Sequence, residues 1–194
     1  QRVLNAPRQF LLIAEEENLD SCKQQLAKTW PEAENAETFD ALLLPPVQQV
    51  IQEAWFTATQ VNFCAKAYPT VPSDHPDAAA LTVLGGFLRN GYLHRVIREQ
   101  GGAYGGGAGQ DNNIAAFRFY SYRDPRLVET LDDFDASLEW LQNHEHQPQA
   151  LQEAILGVIG SMDKPGSPAG EAKQTFQYEL FGRNREKRER FRAR

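Results

Sequence analysis

The chain has 194 residues, 41% of them hydrophobic and 24% charged, which fits one globular domain needing neither disulfides nor a structural metal. Twenty basic residues against 26 acidic ones leave a net charge of −6, and this argues against nucleic acid, since phosphate binding needs a basic surface. No apolar run approaches the roughly 18 residues of a membrane span, and two cysteines, Cys22 and Cys64, exclude a disulfide scaffold and agree with a reducing compartment.

In chain order, Gln9–Ala14 (QFLLIA) is a short apolar run of the kind that forms a buried strand. Asn18–Trp30 follows with Leu19, Cys22, Leu26 and Trp30 at helical spacing, Asn18 and Ser21 offering an N-cap and Pro31 a stop. Pro31–Pro46 is acidic and bounded by proline, hence a loop. Gln48–Tyr68 reads as one long strand or two, with Val61, Phe63, Ala65 and Ala67 alternating against polar neighbours in its second part. Tyr68–Pro76, with three prolines, is a loop.

From Asp77 to Gln100 the pattern is helical through Leu81, Leu84, Leu88, Tyr92 and Val96. Gly85, Gly86 and Gly91 each weaken that helix by roughly 1 kcal/mol relative to alanine, so close packing or a break is expected near them. Gly101–Gly109 is glycine-dense, and Ile114–Tyr122 alternates again with Phe117 and Phe119 on one face. Leu127, Leu131, Phe134, Leu138 and Leu141 mark an amphipathic helix, and Leu151, Ile155, Ile159 and Met162 another. A break at Pro165–Gly170 precedes a last helical stretch with Phe176, Leu180 and Phe181. The order predicts an α+β fold in two layers, with helices on one face of a mainly antiparallel sheet. A single domain over 1–194 is expected, with its core at about 8–162 and a helical extension over 163–194. The chain is expected to be a piece of a longer protein.

The glycine segment is not a phosphate cradle. It has neither a P-loop nor a dinucleotide-binding register, and it follows a helix, whose C-terminal dipole repels anions. Two readings stay open: a turn running into a flexible strand, or a backbone surface that a ligand approaches closely. Tyr104 stands alone within it, six residues after Arg98 at the helix end. An arginine there is favoured by the dipole in any case. As a pair, however, a guanidinium and a phenol suit a carbonyl oxygen that gains negative charge during a reaction.

Other chemistry is thin. His75, His94, His144 and His146 form no zinc-binding motif, His144 and His146 reading as a surface turn and His94, in a helix beside Arg95, as a satisfied surface or interface histidine. Neither cysteine has the context of a nucleophile. Arg183–Arg194 carries seven basic and two acidic residues and reads as a solvated helix face.

Tyr92–Tyr104 (YLHRVIREQGGAY) resembles the C-terminal half of pitrilysin/insulinase-type zinc metallopeptidases, most closely the presequence-protease, falcilysin-like branch. Phe119–Pro125 (FYSYRDP), Thr130–Leu131 with Phe134, and Asp163–Pro168 (DKPGSP) support the resemblance, which runs over roughly residues 8–191. It implies a mitochondrial-processing-peptidase-like fold with core order β-α-β-β-α-α. It also implies an enzyme of two homologous halves that close around an unfolded peptide. In such enzymes the first half holds zinc through an inverted His-x-x-Glu-His motif, absent from this sequence. An arginine and a tyrosine of the second half reach the scissile bond, and by residue order these match Arg98 and Tyr104.

The implied function is therefore the C-terminal, substrate-binding half of a zinc metalloendopeptidase that degrades short unfolded peptides such as cleaved targeting peptides. Its partners would be the zinc-bearing N-terminal half and unfolded peptides, with no nucleic acid and no membrane, and this chain alone would hold no cofactor and be inactive. The compartment implied is the cytoplasm in a bacterium, and the mitochondrial matrix or plastid stroma in a eukaryote. The alternative is a non-catalytic structural core subunit or peptide-binding module of the same fold.

Overall fold

The computed structural model describes residues 8–30 and 49–194. In chain order the elements are helix α1 (Glu16–Thr29), strand β1 (Asn62–Pro69), helix α2 (Ala78–Leu88) with a π-helical continuation (Arg89–Gln100), strands β2 (Gly105–Asp111) and β3 (Ala116–Asp124), and helices α3 (Val128–Asn143), α4 (Pro148–Met162), α5 (Pro168–Leu180) and α6 (Arg185–Ala193). From β1 to α4 this is the β-α-β-β-α-α order expected. The chain divides into two compact units, Gln1–Phe56 with Gly166–Tyr178, and Thr57–Pro165 with Glu179–Arg194.

The second unit holds the sheet. β1 and β2 each pair antiparallel with β3, giving the order β1-β3-β2. Alternation sorts β3 into two faces. Phe117, Phe119 and Ser121 are buried on the inner face, whereas Tyr120 and Tyr122 remain about 40% exposed on the outer one. Leu88 from α2, Leu93, Val96 and Ile97 from the π-helical segment, and Phe134 from α3 close over the inner face. Helices thus cover one face of an antiparallel sheet, as the α+β reading requires. Phe119 is the hub, its ring 5.3 Å from Phe117, 5.6 Å from Phe134 and 6.2 Å from Tyr68, centroid to centroid.

Glycine sets how closely α2 approaches the sheet. A Cβ on Gly85 would lie 2.6 Å from the Gly109 Cα and 3.0 Å from the Ala108 carbonyl oxygen, whereas one on Gly86 would meet nothing within 4 Å. Helix propensity favours alanine by roughly 1 kcal/mol at both positions. At Gly85 the new methyl would press on backbone, which cannot rotate away, and overpacking of this kind costs about 1–3 kcal/mol or more. Gly85→Ala is therefore expected to lower the urea midpoint of unfolding and Gly86→Ala to raise it. Stabilisation by both would show that the close approach is unimportant.

Four expectations are corrected. Gln9–Ala14 is not a strand: residues 8–15 have no regular structure, and Phe10, Leu11 and Ile13 are 38–48% exposed. A strand exists only through pairing, and among the described residues none pairs with this run. Likewise residues 49–61 form no strand, with Trp55 and Phe56 almost fully exposed, so the sheet starts at Asn62. Helix α1 begins at Glu16 with Glu15 as its cap, placing Asn18 and Ser21 inside it; the carboxylates of Glu16 and Glu17 favour the positive end of the helix dipole. The helix expected over Asp77–Gln100 rewinds to π geometry from Arg89. The loop expected at Pro31–Pro46 lies outside the described residues.

Downstream, α3 and α4 form where their apolar spacing places them. In α4 only Ala154 is buried, and Leu151, Ile155, Ile159 and Met162 line an apolar cavity of about 710 Å³ together with α2 and Phe191 of α6. The basic tail is largely a solvated helix, with Arg185–Glu189 and Arg190–Glu186 pairs along its surface. Arg192 also pairs with Asp163 at the end of α4, which holds that carboxylate below its usual range by hydrogen bonding and charge. Among the described residues, no helix is long and apolar enough to cross a membrane.

Candidate functional site

Arg98 lies near the C-terminal end of the π-helical segment, and Tyr104 immediately precedes β2. The chain reverses between them in a tight turn. The Gly102 N–H donates to the Arg98 carbonyl at 3.1 Å, the Ala103 N–H to the Ile97 carbonyl at 3.1 Å, and Gly102 adopts φ +79°. That backbone is in the left-handed region, where glycine carries no Cβ penalty.

A polar strut supports the turn from below. Arg126, just after β3, donates from Nη2 to the Val96 carbonyl at 3.2 Å and to Asp133 of α3 at 2.9 Å. Its guanidinium sits where a Cβ on Gly101 would be, 2.0 Å from the ideal position. Fully buried Asp124 accepts from the Arg126 N–H at 2.9 Å and the Thr130 hydroxyl at 2.8 Å. A buried carboxylate with both partners in place fixes the path of the chain. The strut thus ties the end of the helix bearing Arg98 to α3 and to the end of β3.

Both candidate side chains reach solvent. Tyr104 is 64% exposed, its ring stacked at a tilt on Tyr122 with centroids 5.6 Å apart, and the Arg123 guanidinium carbon lies 5.7 Å from its ring centre. Arg98 is exposed on the helix surface, with Nη1 3.4 Å from His94 Nε2. His94 Nδ1 in turn lies 3.3 Å from a Glu99 carboxylate oxygen. If Nδ1 carries the proton toward Glu99, Nε2 is left to accept from Arg98. Among the described residues no hydrogen bond joins Arg98 to Tyr104; the turn places them near each other along the chain.

Three of the four glycines of β2 leave room for the protein's own side chains, whereas a Cβ on the fourth, Gly109, would meet nothing within 4 Å. A Cβ on Gly105 would fall 2.6 Å from the Tyr122 hydroxyl oxygen, and one on Gly107 would fall 3.3 Å from Arg89 and 3.4 Å from the Tyr120 hydroxyl. On the inner face, a Cβ on Gly106 would fall 2.9 Å from Ile97. Two tyrosines can therefore lean over β2 on one side while the helix presses close on the other. The surface presented outward is phenolic and cationic, floored by those rings.

Among the described residues, no histidine belongs to a cluster of three or more His, Cys, Asp and Glu that could hold a metal ion. Zinc therefore does not fit the residues described. His146 corrects the surface-turn reading: it is half-buried, with Nε2 2.9 Å from the Leu141 carbonyl and its ring 4.5 Å from Trp140 and 5.2 Å from Phe87. Packing on two aromatic rings covers it. Cys64 is buried, and desolvation pushes its thiol up, which keeps it protonated and unsuited to nucleophilic attack.

Arg123 escaped the sequence reading, although the sequence carries a signal for it. Inward positions on β3 run Phe117, Phe119, Ser121; the next by alternation is Arg123, and a cation there is out of place. The structure resolves the conflict with a bulge: Asn62 pairs with Asp124 and Phe63 with Tyr122, leaving Arg123 unpaired. The Asn62 side chain spans the irregularity by donating to the Asp124 and Arg126 carbonyls at 3.3 and 3.2 Å.

The family model for the PreP C-terminal domain matches residues 52–194. Among curated proteins, the chain is 42% identical over 130 residues to the mitochondrial presequence protease of Kluyveromyces lactis, covering 66% of this chain and 13% of that protein. It is 43% identical over 122 residues to the one from Drosophila melanogaster, covering 62% and 12%, and 36% identical over 139 residues to the one from Mus musculus, covering 66% and 13%. The matched part of the chain thus spans about one-eighth of the length of these relatives.

Proposed function

The chain belongs to the PreP C-terminal domain family, and on that premise we propose that it forms the substrate-binding side of a peptidase, completing a chamber for short unfolded peptides. Arg98 and Tyr104 contact the scissile carbonyl there. The observation that carries this reading is their placement: two exposed donors on either side of a three-residue turn, held from below by the Arg126–Asp133 and Asp124–Thr130 pairs. Hydrolysis of a peptide bond moves negative charge onto the carbonyl oxygen. A fixed phenol and a fixed guanidinium stabilise that charge more than they stabilise the neutral substrate.

The zinc of such enzymes belongs, on this proposal, to another part of the parent protein, and no step assigned to this chain runs through it. Of the compartments considered, the mitochondrial one agrees with the relatives' names. A purely structural core subunit of the same fold is the second reading, but it gives no task to two donors exposed at one turn.

The test separates the chain from its parent. Purified alone, the chain is expected to hold no stoichiometric zinc by elemental analysis and to leave an unfolded peptide uncut, while the full-length parent cleaves it. Tightly bound stoichiometric zinc in the isolated chain would refute this division of labour. A full-length parent inert toward unfolded peptides would favour the structural-subunit reading.

A further inference from the structure

Arg123 has φ +48°, the left-handed region that non-glycine residues seldom occupy. It is the unpaired residue of the bulge between β1 and β3. Left-handed bulge positions commonly go to glycine, which enters that conformation without strain, and bulges beside active sites often re-aim a side chain. An arginine kept in such a conformation points to a task for its side chain.

Its contacts show what that task is. The Arg123 carbonyl accepts from the Tyr104 N–H at 3.3 Å, extending the β2–β3 ladder one step beyond the Gly105–Tyr122 pair. The guanidinium lies 5.7 Å from the centre of the Tyr104 ring, within the range of a cation–π contact. That ring also makes a tilted contact with the Tyr122 ring, centroids 5.6 Å apart. Main chain and side chain of one residue therefore hold Tyr104. Without the bulge, alternation would turn the Arg123 side chain toward the helical layer and leave the phenol on Tyr122 alone.

We propose that Arg123 is a positioning residue for Tyr104: the bulge re-aims its guanidinium onto the phenol ring and presents the hydroxyl in one orientation. This rests on the reading of Tyr104 as a substrate-contacting donor. Arg123 itself touches no reacting atom.

The test uses the full-length parent enzyme with Arg123→Gly and Arg123→Asn, both replacements that tolerate positive φ. The probe is 3-fluorotyrosine placed at position 104 and read by fluorine NMR. Both variants are expected to melt as wild type and to shift and narrow the fluorine resonance, because the ring loses one of its two side-chain contacts. kcat should fall about fivefold while KM stays within about twofold, the size expected for an exposed cation–π contact acting through an oriented group. In a Tyr104→Phe background, Arg123→Asn should lower kcat no further. An unchanged resonance in Arg123→Asn would overturn the proposal. So would an equal loss of kcat in the Tyr104→Phe background, since Arg123 would then act on substrate directly. If Tyr104→Phe alone is silent while the resonance still moves, the positioning contact stands and the catalytic reading of Tyr104 falls.

Discussion

In the full-length parent enzyme, Tyr104→Phe is expected to lower kcat by about 10²–10³, or roughly 3–4 kcal/mol of transition-state stabilisation, with a smaller change in KM. The substitution removes one hydroxyl and leaves the ring, so stacking on Tyr122 and the Arg123 contact survive. What is lost, on the proposed role of Tyr104, is a donor that matters most when charge has moved onto the carbonyl oxygen. In a closed, poorly hydrated chamber that donor is worth more than in water. Arg98→Lys is the companion variant. Lysine keeps the charge and most of the apolar stem but loses the planar fork, so it should rescue little if two-point geometry is needed. Zinc content and folding should match wild type in both. If kcat/KM also stays within about twofold of wild type in both, Arg98 and Tyr104 are structural.

Phe119→Ala is expected to destabilise the chain by about 3–5 kcal/mol, read as a fall in the urea midpoint at unchanged slope. Phe119 is 1% exposed and sits on the central strand, so neither neighbouring strand can shift inward without breaking the ladder it shares with β3. Its removal takes away three ring contacts, with Tyr68, Phe117 and Phe134, from strands β1 and β3 and helix α3. A loss of this size is a large part of the 5–15 kcal/mol typical of a domain. Phe63→Ala is the control. Phe63 lies on the outer face at 66% exposure, and its loss should cost less than about 1 kcal/mol. Equal effects from the two would mean that the inner face is not the core.

The sheet and its covering helices were legible because their signals were local. Phe117 and Phe119 sit two apart and Leu131, Phe134, Leu138 and Leu141 three or four apart, and each pattern suits a single element. Gly85 and Gly91 announced close packing, and the structure supplies the partners, the Gly109 backbone and the Trp140 ring. Gln9–Ala14 misled because apolar content shows that a segment could be buried but not that a strand lies beside it. The π winding after Leu88 escaped because Leu93, Val96 and Ile97 satisfy an ordinary helical spacing equally well.

At the candidate site, residue type and place around the glycine turn single out Arg98 and Tyr104 in the sequence. The sequence shows that the glycines lack side chains, but that Tyr120 and Tyr122 lean into the space follows only from the pairing of β3 with β2. Arg126 and Asp133 form a pair seven residues apart across a loop, and nothing in the sequence marks which of the nearby acids Arg126 selects.

The most direct measurement is a structure of the full-length enzyme bound to a peptide analogue that carries a tetrahedral oxyanion mimic at the scissile position. The account predicts that the Tyr104 hydroxyl and an Arg98 guanidinium nitrogen both lie within about 3 Å of the mimic's oxygen, the reach of oxyanion donors. A complex in which either side chain points to another face of the domain, or stands beyond hydrogen-bond reach with the chamber closed, would contradict it.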